Sequence, residues 1–148
     1  MLRCIDASLG ELAERIVEIQ RAAYAVEAEL IGFDGIPHLH ETADDVRART
    51  DLVWRGAFVS DLLVAVIAWD DDPDGVDIDR LAVDPAVARR GIGRSLVRSV
   101  PVDRPTSVST GAANHPAIAL YQSEGFAPSD QVEVAPAERI PRYTRAAN

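Results

Sequence analysis

The spacing of apolar and polar residues along the chain predicts an alternation of strands and helices. Predicted strands show a period of two or a short continuous apolar run, and predicted helices repeat apolar residues every three to four positions. The order β-α-α-β-β-β-α-β-α-β-β predicts a single α/β domain with a mixed central sheet over residues 1–148. The predicted strands cover residues 2–5, 54–59, 62–69, 77–83, 106–110, 131–134 and 140–144, and the predicted helices cover residues 9–30, 42–50, 92–100 and 114–124.

Turn and cap residues mark several boundaries between these elements. Ser8 and Glu11 have the form of a capping box, which predicts the start of the first helix. Residues 32–41 are rich in turn formers and predict a loop, and Asp70–Gly75 predict a polar hairpin loop. Residues 62–68 are almost entirely apolar, which predicts a central strand covered on both faces.

The most informative stretch runs from Asp77 to Ser99 and predicts a strand, a basic glycine turn and a helix. Pro85 ends the strand because proline cannot donate to a sheet ladder. An apolar set at helical spacing then begins at Ile92. The alternation places Asp77, Asp79, Leu81 and Val83 on one face of the strand, and Ile78, Arg80 and Ala82 on the other.

The turn between this strand and this helix has the features of an anion site. The first turn of a helix leaves backbone N–H groups unpaired and carries a partial positive charge. Gly91 and Gly93 let a ligand approach these groups closely, and Arg89, Arg90 and Arg94 add charge and paired donors. These features suit a phosphate or pyrophosphate. The stretch alone also fits, less well, a turn into a surface helix with solvated arginines.

Several familiar sites are excluded by the residues present. Leu96 stands where the dinucleotide-binding fingerprint requires its third glycine. The chain contains no lysine, so the P-loop is absent, and no serine lies in a G-x-S-x-G sequence. His38 and His40 share a loop without a nearby cysteine or third histidine, so no metal site is expected.

Composition and charge narrow the classes of partner. Hydrophobic residues make up 47% of the chain, which suffices for a core, and the formal net charge is −9. This acidic balance argues against nucleic acid and anionic membrane surfaces, and it weakly favours a cationic or amine-bearing substrate. One local basic patch is predicted within the acidic chain. It contains Arg80, Arg89, Arg90, Arg94 and Arg98.

Cysteine usage and apolar runs bear on the compartment. The lone Cys4 rules out an internal disulfide, fits a reducing cytoplasm and is expected to be a small core residue. No apolar run approaches the length of a membrane span, and no apolar segment of a signal peptide follows Met1. These features predict a cytoplasmic protein, and they leave open whether it forms a homodimer.

Two motifs in this chain resemble those of the GNAT acetyltransferases. The acyl-CoA motif of that family runs V-x-P-x-x-[Q/R]-x-x-G-x-[G/A], and Val83, Pro85, Gly91 and Gly93 match it at the right spacing. Ala88 stands where the family usually has Gln or Arg. The resemblance covers about residues 76–126 at the level of motifs. The second motif, N-x-x-A-x-x-x-Y-x-x-x-G-F, is complete and consists here of Asn114, Ala117, Tyr121, Gly125 and Phe126.

The resemblance implies the GNAT fold, a mixed sheet of about six to seven strands flanked by about four helices. It also implies acetyl-CoA as cosubstrate and no metal. The pyrophosphate would lie at the basic glycine turn, and the pantetheine would lie along the end of the preceding strand. The residues assigned to acetyl-CoA in this way are Leu81, Ala82, Val83, Arg89, Arg90, Gly91, Ile92, Gly93, Arg94 and Asn114.

The same resemblance suggests catalytic residues. Tyr121 stands where the family places the tyrosine that protonates the departing thiolate, whereas a lone tyrosine on a helix would be a packing residue. Asp77 lies where some members carry a glutamate general base, and its shorter side chain leaves a water relay as an alternative. Asp79 is predicted on the same strand face, and both also fit surface aspartates. Three carboxylates flank the loop that covers the acceptor in such enzymes and either bind an amine or are surface charges: Glu27, Glu29 and Glu41.

The sequence therefore predicts an N-acetyltransferase in which an amine attacks the thioester of acetyl-CoA directly, with Tyr121 as the general acid. The alternative is a non-catalytic acyl-CoA-binding regulatory module. Ala88 and the missing glutamate base favour this alternative, and the retention of Tyr121 opposes it. The acceptor, a small molecule or a peptide, cannot be identified from these residues.

Overall fold

The computed structural model describes residues 1–31, 38–111, 114–136 and 138–148. These residues form seven strands and four α-helices in the predicted order, and residues 32–37 of the predicted loop lie outside them. The strands are β1 (Leu2–Cys4), β2 (Val53–Val59), β3 (Leu62–Asp72), β4 (Gly75–Val83), β5 (Thr106–Ser109), β6 (Ala127–Ala135) and β7 (Glu138–Arg145). The helices are α1 (Leu9–Ile31), α2 (Ala43–Arg47), α3 (Ile92–Arg98) and α4 (His115–Ser123), with 3-10 turns at Asp6–Ser8 and Pro85–Val87.

The strands of the described chain form one mixed sheet in the order β1-β2-β3-β4-β5-β7-β6. Neighbouring strands are antiparallel except β4 and β5, which are parallel. β3 lies inside the sheet and is buried along most of its length, because helices cover both faces. This arrangement confirms the predicted mixed α/β sheet and its central apolar strand.

Two hydrophobic clusters form the core, one on each face of the sheet. α1 and α2 pack on one face, and α3 and α4 pack on the other. The first cluster includes Ile16, Ile19, Val46 and Trp54, and the second includes Ile67, Leu96, Val97 and Tyr121.

No helix in the described part of the chain is long and apolar enough to cross a membrane.

A bulge at Asp79 breaks the predicted alternation of β4. Ala68 of β3 pairs with Arg80, whereas Trp69 pairs with Ile78, so Asp79 has no partner in the ladder. One extra residue moves the following side chains to the opposite face, and the predicted assignment of faces is therefore wrong beyond the bulge. The face of α1 carries Asp77, Asp79, Arg80 and Ala82, and the face of α3 and α4 carries Val76, Ile78, Leu81 and Val83.

β4 pairs with β5 only near its own beginning. The parallel register joins Val76 to Thr106 and ends where Ile78 faces Val108. β5 then continues beside β7, since the Thr110 N–H donates to a carbonyl of the β7 strand at 3.1 Å. An opening therefore lies between the C-terminal ends of β4 and β5.

The predicted capping box at Ser8 is not formed among the described residues. The Ser8 hydroxyl donates to the carbonyl of Ile5 at 3.3 Å, because a 3-10 turn precedes α1. A complete capping box lies instead at α2. The Asp45 N–H donates to Thr42 Oγ1 at 3.2 Å, and the Thr42 N–H donates to Asp45 Oδ2 at 2.8 Å.

Several strands are longer than their apolar patterns predict. β3 continues to Asp72 and β4 begins at Gly75, so most of the predicted polar loop belongs to the two strands. Backbone pairing extends the two strands through these polar residues, where Asp70 pairs with Asp77. β6 begins at Ala127 for the same reason, since it pairs with β7 along polar residues.

Cys4 is exposed, so its predicted core position is wrong. It lies on β1, which in the described chain pairs only with β2 and forms one end of the sheet. All three residues of this short edge strand are exposed.

Candidate functional site

The end of β4 directs backbone groups into the opening between β4 and β5. The Asp84 N–H donates to the carbonyl of Val64 at 2.8 Å, and hydrogen-bonded pairs alternate along an antiparallel ladder. Ala82 is two residues before Asp84, so its N–H and C=O groups also point to β3. The N–H and C=O groups of Leu81 and Val83 consequently point toward the opening.

The loop between β4 and α3 presents a row of free N–H groups. Within the described residues, the backbone N–H groups from Arg89 to Arg94 have no hydrogen-bond acceptor. Ser95 is the next residue, and its N–H donates to the carbonyl of Gly91 at 3.0 Å. Arg89, Arg90 and Gly91 are exposed. These backbone N–H groups are the donors that the sequence predicts for an anion.

Two glycines shape this loop in different ways. Gly91 has φ +77°, in the left-handed region, and a Cβ added there would meet no atom within 4 Å. Gly93 is more enclosed, since an added Cβ would lie 3.5 Å from Val83 Cγ2 and 3.6 Å from Leu120 Cδ2. The start of α3 therefore adjoins the end of β4 and the middle of α4.

The arginines of this region differ in how free they are. Arg89 and Arg90 have no carboxylate within ion-pair distance among the residues described here. Arg94 and Arg98 pair with Glu124 at 3.5 and 2.8 Å. The first two are therefore available to a ligand, and the other two also hold α3 to the end of α4.

α4 begins at Asn114 and carries Tyr121 two turns later. The Ala117 N–H donates to Asn114 Oδ1 at 3.3 Å, which confirms the predicted N-cap. Tyr121 is 5% exposed, and its ring meets Phe126 edge-on at 5.6 Å between centroids. Burial raises the pKa of Tyr121, and the charge of Glu27 raises it further, so the hydroxyl remains protonated at neutral pH.

Arg80 lies at the centre of a buried ion network between α1, β4 and the residues before α2. Its guanidinium is 2.5 Å from Glu41, 2.8 Å from Asp79 and 3.0 Å from the Gln20 side chain. It also stacks on the Trp54 ring at 4.8 Å from the centroid, and its side chain is 0% exposed. The inclusion of Arg80 in an exposed basic patch was therefore wrong. The bulge turns it away from the loop before α3.

His38 completes this network. Its Nδ1 is 3.0 Å from Glu41 and its Nε2 is 3.3 Å from Asp79. Burial alone would lower the pKa of His38, but its hydrogen bonds to Asp79 and Glu41 outweigh burial and raise it. Burial likewise opposes ionisation of the two carboxyls, but bonds from His38 and the Arg80 charge lower the pKa of each to about 2. In the described residues, no group of His, Cys, Asp and Glu is suited to hold a metal ion.

Asp77 has different partners from Asp79, although both lie on the face of α1. Its Oδ1 accepts a hydrogen bond from Ser107 Oγ at 2.8 Å, within the paired part of β4 and β5. Partial desolvation raises the pKa of Asp77, and the Ser107 hydrogen bond opposes this shift. The structure therefore separates the two predicted aspartates, because the pKa of Asp77 is raised whereas that of Asp79 is lowered.

The structure also brings Glu27 of α1 to the site, which the sequence left undecided between an amine ligand and a surface charge. Asn114 Nδ2 donates to Glu27 Oε1 at 2.7 Å. Burial raises the pKa of Glu27, and the bond from Asn114 opposes this shift. The signal in the sequence was its position three residues after Tyr24, on the buried side of the helix, whereas Glu29 is exposed.

The sequence profile of the Acetyltransferase (GNAT) domain matches residues 51–128, which is more than half of the chain. The matched residues include β4, the loop after it and α4 with Tyr121. The chain therefore belongs to the GNAT acetyltransferase family.

Solved acetyltransferases share the fold at low sequence identity. The PaiA N-acetyltransferase from Thermoplasma acidophilum, solved in complex with coenzyme A, has a TM-score of 0.77 and 14% identity over 99% of each chain. The ribosomal-protein-S18-alanine N-acetyltransferase from Escherichia coli has a TM-score of 0.73 and 19% identity, over 100% of this chain and 94% of that chain. At these identities the likeness concerns the fold alone, and it confirms the predicted GNAT fold.

A curated relative is more similar in sequence and considerably longer. The chain is 34% identical over 140 residues to UPF0157 protein YqkA of Bacillus subtilis (strain 168). The match covers 91% of this chain and 40% of YqkA, so the chain spans about two fifths of the length of this relative.

Proposed function

We propose that the protein is an N-acetyltransferase that moves the acetyl group of acetyl-CoA to an amine of its acceptor by direct attack. One observation carries the proposal. In the part of the chain that the structure describes, the backbone groups of Leu81 and Val83 are unpaired at the opening between β4 and β5, and the side chains of these two residues pack against the cluster that contains Tyr121 of α4. Membership of the GNAT family supports acetyl transfer, and the coenzyme A bound by PaiA supports the choice of cosubstrate.

The loop after β4 is proposed to bind the pyrophosphate of acetyl-CoA. The free N–H groups of residues 89–94 supply donors, and the exposed side chains of Arg89 and Arg90 supply positive charge in an acidic chain. The open space in front of Gly91 lets phosphate oxygens reach the backbone. Ala88, which replaces a longer polar residue of the family motif, leaves these backbone donors in place.

The free edge of β4 is proposed to pair with the amides of the pantetheine. Leu81 and Val83 present N–H and C=O groups there, while Ala82 keeps the strand bonded to β3. Asn114 contributes its side-chain amide from the start of α4. One of the two free N–H groups would donate to the thioester oxygen and stabilise the negative charge that develops during attack.

Tyr121 is proposed as the general acid. As the C–S bond breaks, its hydroxyl donates to the leaving sulfur of coenzyme A. The raised pKa of Tyr121 keeps the proton on the hydroxyl until that step. An easy leaving group makes only a modest demand on such an acid, because thiols have a pKa of about 8.5.

Asp77 and Asp79 are proposed to have different roles. Asp79 is a positioning residue, because its carboxylate holds Arg80 and His38, and a pKa of about 2 makes it a poor proton acceptor. Asp77 has a raised pKa and is the candidate base on β4. Asp77 lies in the part of β4 that pairs with β5, because the pairing continues one residue beyond it. It is therefore separated along the strand from the free edge at Leu81 and Val83.

A transfer assay tests the proposed function. The purified protein is incubated with acetyl-CoA and a panel of amines, namely 1,4-diaminobutane, spermidine, benzylamine, an aminoglycoside and the tripeptide Ala-Ala-Ala. We expect release of free thiol that requires both protein and amine, with the acetylated amine identified by mass spectrometry. Calorimetric binding of acetyl-CoA without transfer to any amine would favour the regulatory module, and absence of binding would reject the cosubstrate itself.

A further inference from the structure

A hydrogen bond between Glu27 and Asn114 connects the two faces of the sheet. Glu27 belongs to α1, which packs on one face, whereas Asn114 begins α4 on the other. Their side chains nevertheless meet at 2.7 Å. Side chains from opposite faces can touch only where the sheet is open or beyond the ends of its strands, and the pairing of β4 with β5 ends at Ile78 and Val108. The Glu27 carboxylate therefore lies at the end of the sheet where β4 and β5 are no longer paired.

This carboxylate has no cationic partner in the described part of the chain. Its hydrogen-bond partner there is the neutral amide of Asn114. The cations of the network on the α1 face are already used, since Arg80 and His38 both bind Glu41 and Asp79. A partly buried carboxylate without a counter-ion is unfavourable, and a cationic ligand would relieve this.

The same carboxylate lies near two buried tyrosine hydroxyls. Tyr24 is 6% exposed and Tyr121 is 5% exposed. Burial raises the pKa of both hydroxyls, and the negative charge of Glu27 raises each further. The charge of Glu27 therefore acts on the proposed general acid.

We propose that Glu27 binds the ammonium group of the acceptor and takes the proton that this group must lose before it attacks. The inference rests on the proposed N-acetyltransferase function, and it specifies the acceptor as an amine that is a cation in solution. It also moves the role of base from β4 to α1. The Asp79 carboxylate is already paired with Arg80, and Asp77 accepts a hydrogen bond from Ser107 where β4 and β5 are paired.

The proton balance of this step is complete. Glu27 takes one proton from R–NH₃⁺, and the freed lone pair forms the N–C bond at the thioester carbonyl. The C–S bond breaks with its electron pair on sulfur, and Tyr121 donates its proton there. The second proton lost by the nitrogen restores Tyr121, and the proton on Glu27 passes to solvent. The products are the N-acetyl amine and the free thiol of coenzyme A.

Glu27→Gln separates the charge of this residue from its hydrogen bond. The glutamine carbonyl can still accept from Asn114, whereas the negative charge is lost. Glu29→Gln is the matched control, because it makes the same change at an exposed position of the same helix. Asp77→Asn tests the competing base on β4. All are assayed with the amine of the panel above that the wild-type protein acetylates fastest, and the Kd for acetyl-CoA is measured by calorimetry.

We expect Glu27→Gln to lower kcat/KM at least about 10²-fold, the usual scale for a lost general base. Its Kd for acetyl-CoA, and both quantities in Glu29→Gln, should stay within about twofold of wild type. The wild-type rate should fall as the pH drops through the raised pKa of Glu27, and this acid limb should be absent from the variant. The other groups around the opening are the neutral Tyr24 and Tyr121 and the ions of the network, namely His38, Glu41, Asp79 and Arg80, all of which the variant retains.

Three results would overturn the proposal. The first is an acid limb that persists in Glu27→Gln and disappears in Asp77→Asn. The second is an equal loss in Glu27→Gln and Glu29→Gln. The third is wild-type protein that binds acetyl-CoA but neither acetylates nor binds a cationic amine of the panel. Failure of acetyl-CoA to bind at all would instead count against the proposed function, so the two failures remain distinguishable.

Discussion

At the scale of single residues, the surroundings of Tyr121 decide what its hydroxyl can contribute. The ring is buried against Phe126, and the hydroxyl has no hydrogen-bond partner among the described residues. A hydroxyl that keeps its proton and is not bonded to another described residue can donate to a ligand atom.

Tyr121→Phe should lower kcat about 10²-fold, because it removes the proton donor for the leaving thiolate and keeps the ring. The Kd for acetyl-CoA and the thermal midpoint should change little. Rates are compared in single-turnover experiments, where chemistry limits the signal. Tyr143→Phe is the control, since Tyr143 is another buried tyrosine and lies on β7. Wild-type kcat in Tyr121→Phe, or a large loss of stability without a specific kinetic effect, would return Tyr121 to a packing role.

The sequence predicted the exposed arginines after β4 correctly, but it did not predict the buried ion network around Arg80. The arginines after β4 are exposed as expected, but Arg80 is buried on the opposite face. One unpaired residue in a ladder decides that difference, and the sequence of β4 alone does not reveal it. The same limit applies to Glu27, whose partner Asn114 is distant in sequence and on the other side of the sheet.

At the scale of elements, the loop before α3 depends on a left-handed residue at its end. Gly91 has φ +77°, a conformation that glycine adopts without strain. Gly125, just after α4, has φ +92°. Both positions have a left-handed backbone, and only Gly91 faces the proposed phosphate site.

Gly91→Ala should weaken acetyl-CoA binding at least about 10-fold, because its methyl group enters the space proposed for the pyrophosphate. Left-handed alanine should also cost about 1–2 kcal/mol of stability. Gly125→Ala carries a similar strain, and its methyl would lie 3.5 Å from the Arg145 side chain instead. Calorimetry and thermal unfolding measure both effects. Equal affinities in the two variants would mean that the phosphates bind elsewhere.

Elements with local signals were predicted well, and those set by long-range pairing were not. The N-cap at Asn114 and the turn residue Gly125 fix α4 from sequence, and the apolar spacing fixes α1. The extent of β4 and its bulge depend on the partner strand, as does the length of β6. For the same reason, the place proposed for the pantetheine at the end of β4 followed from the family resemblance and not from the pattern of residues.

At the scale of the whole molecule, the proposed cleft has opposite charges at its two ends. Exposed Arg89 and Arg90 mark the loop where an anion would bind, and Glu27 lies at the end of the sheet where β4 and β5 are no longer paired. The chain as a whole carries a formal charge of −9. This distribution favours an anionic cosubstrate at one end and a cationic acceptor at the other, and it disfavours the reverse orientation.

The structure of the complex with coenzyme A tests the central claim most directly, because the claim concerns where the cosubstrate binds. A crystal structure should show the pyrophosphate within hydrogen-bond distance of the backbone N–H groups of residues 89–94. It should also show the pantetheine bonded to Leu81 and Val83, with its sulfur near the Tyr121 hydroxyl. Coenzyme A bound outside the opening between β4 and β5, or with its sulfur remote from Tyr121, would contradict the account.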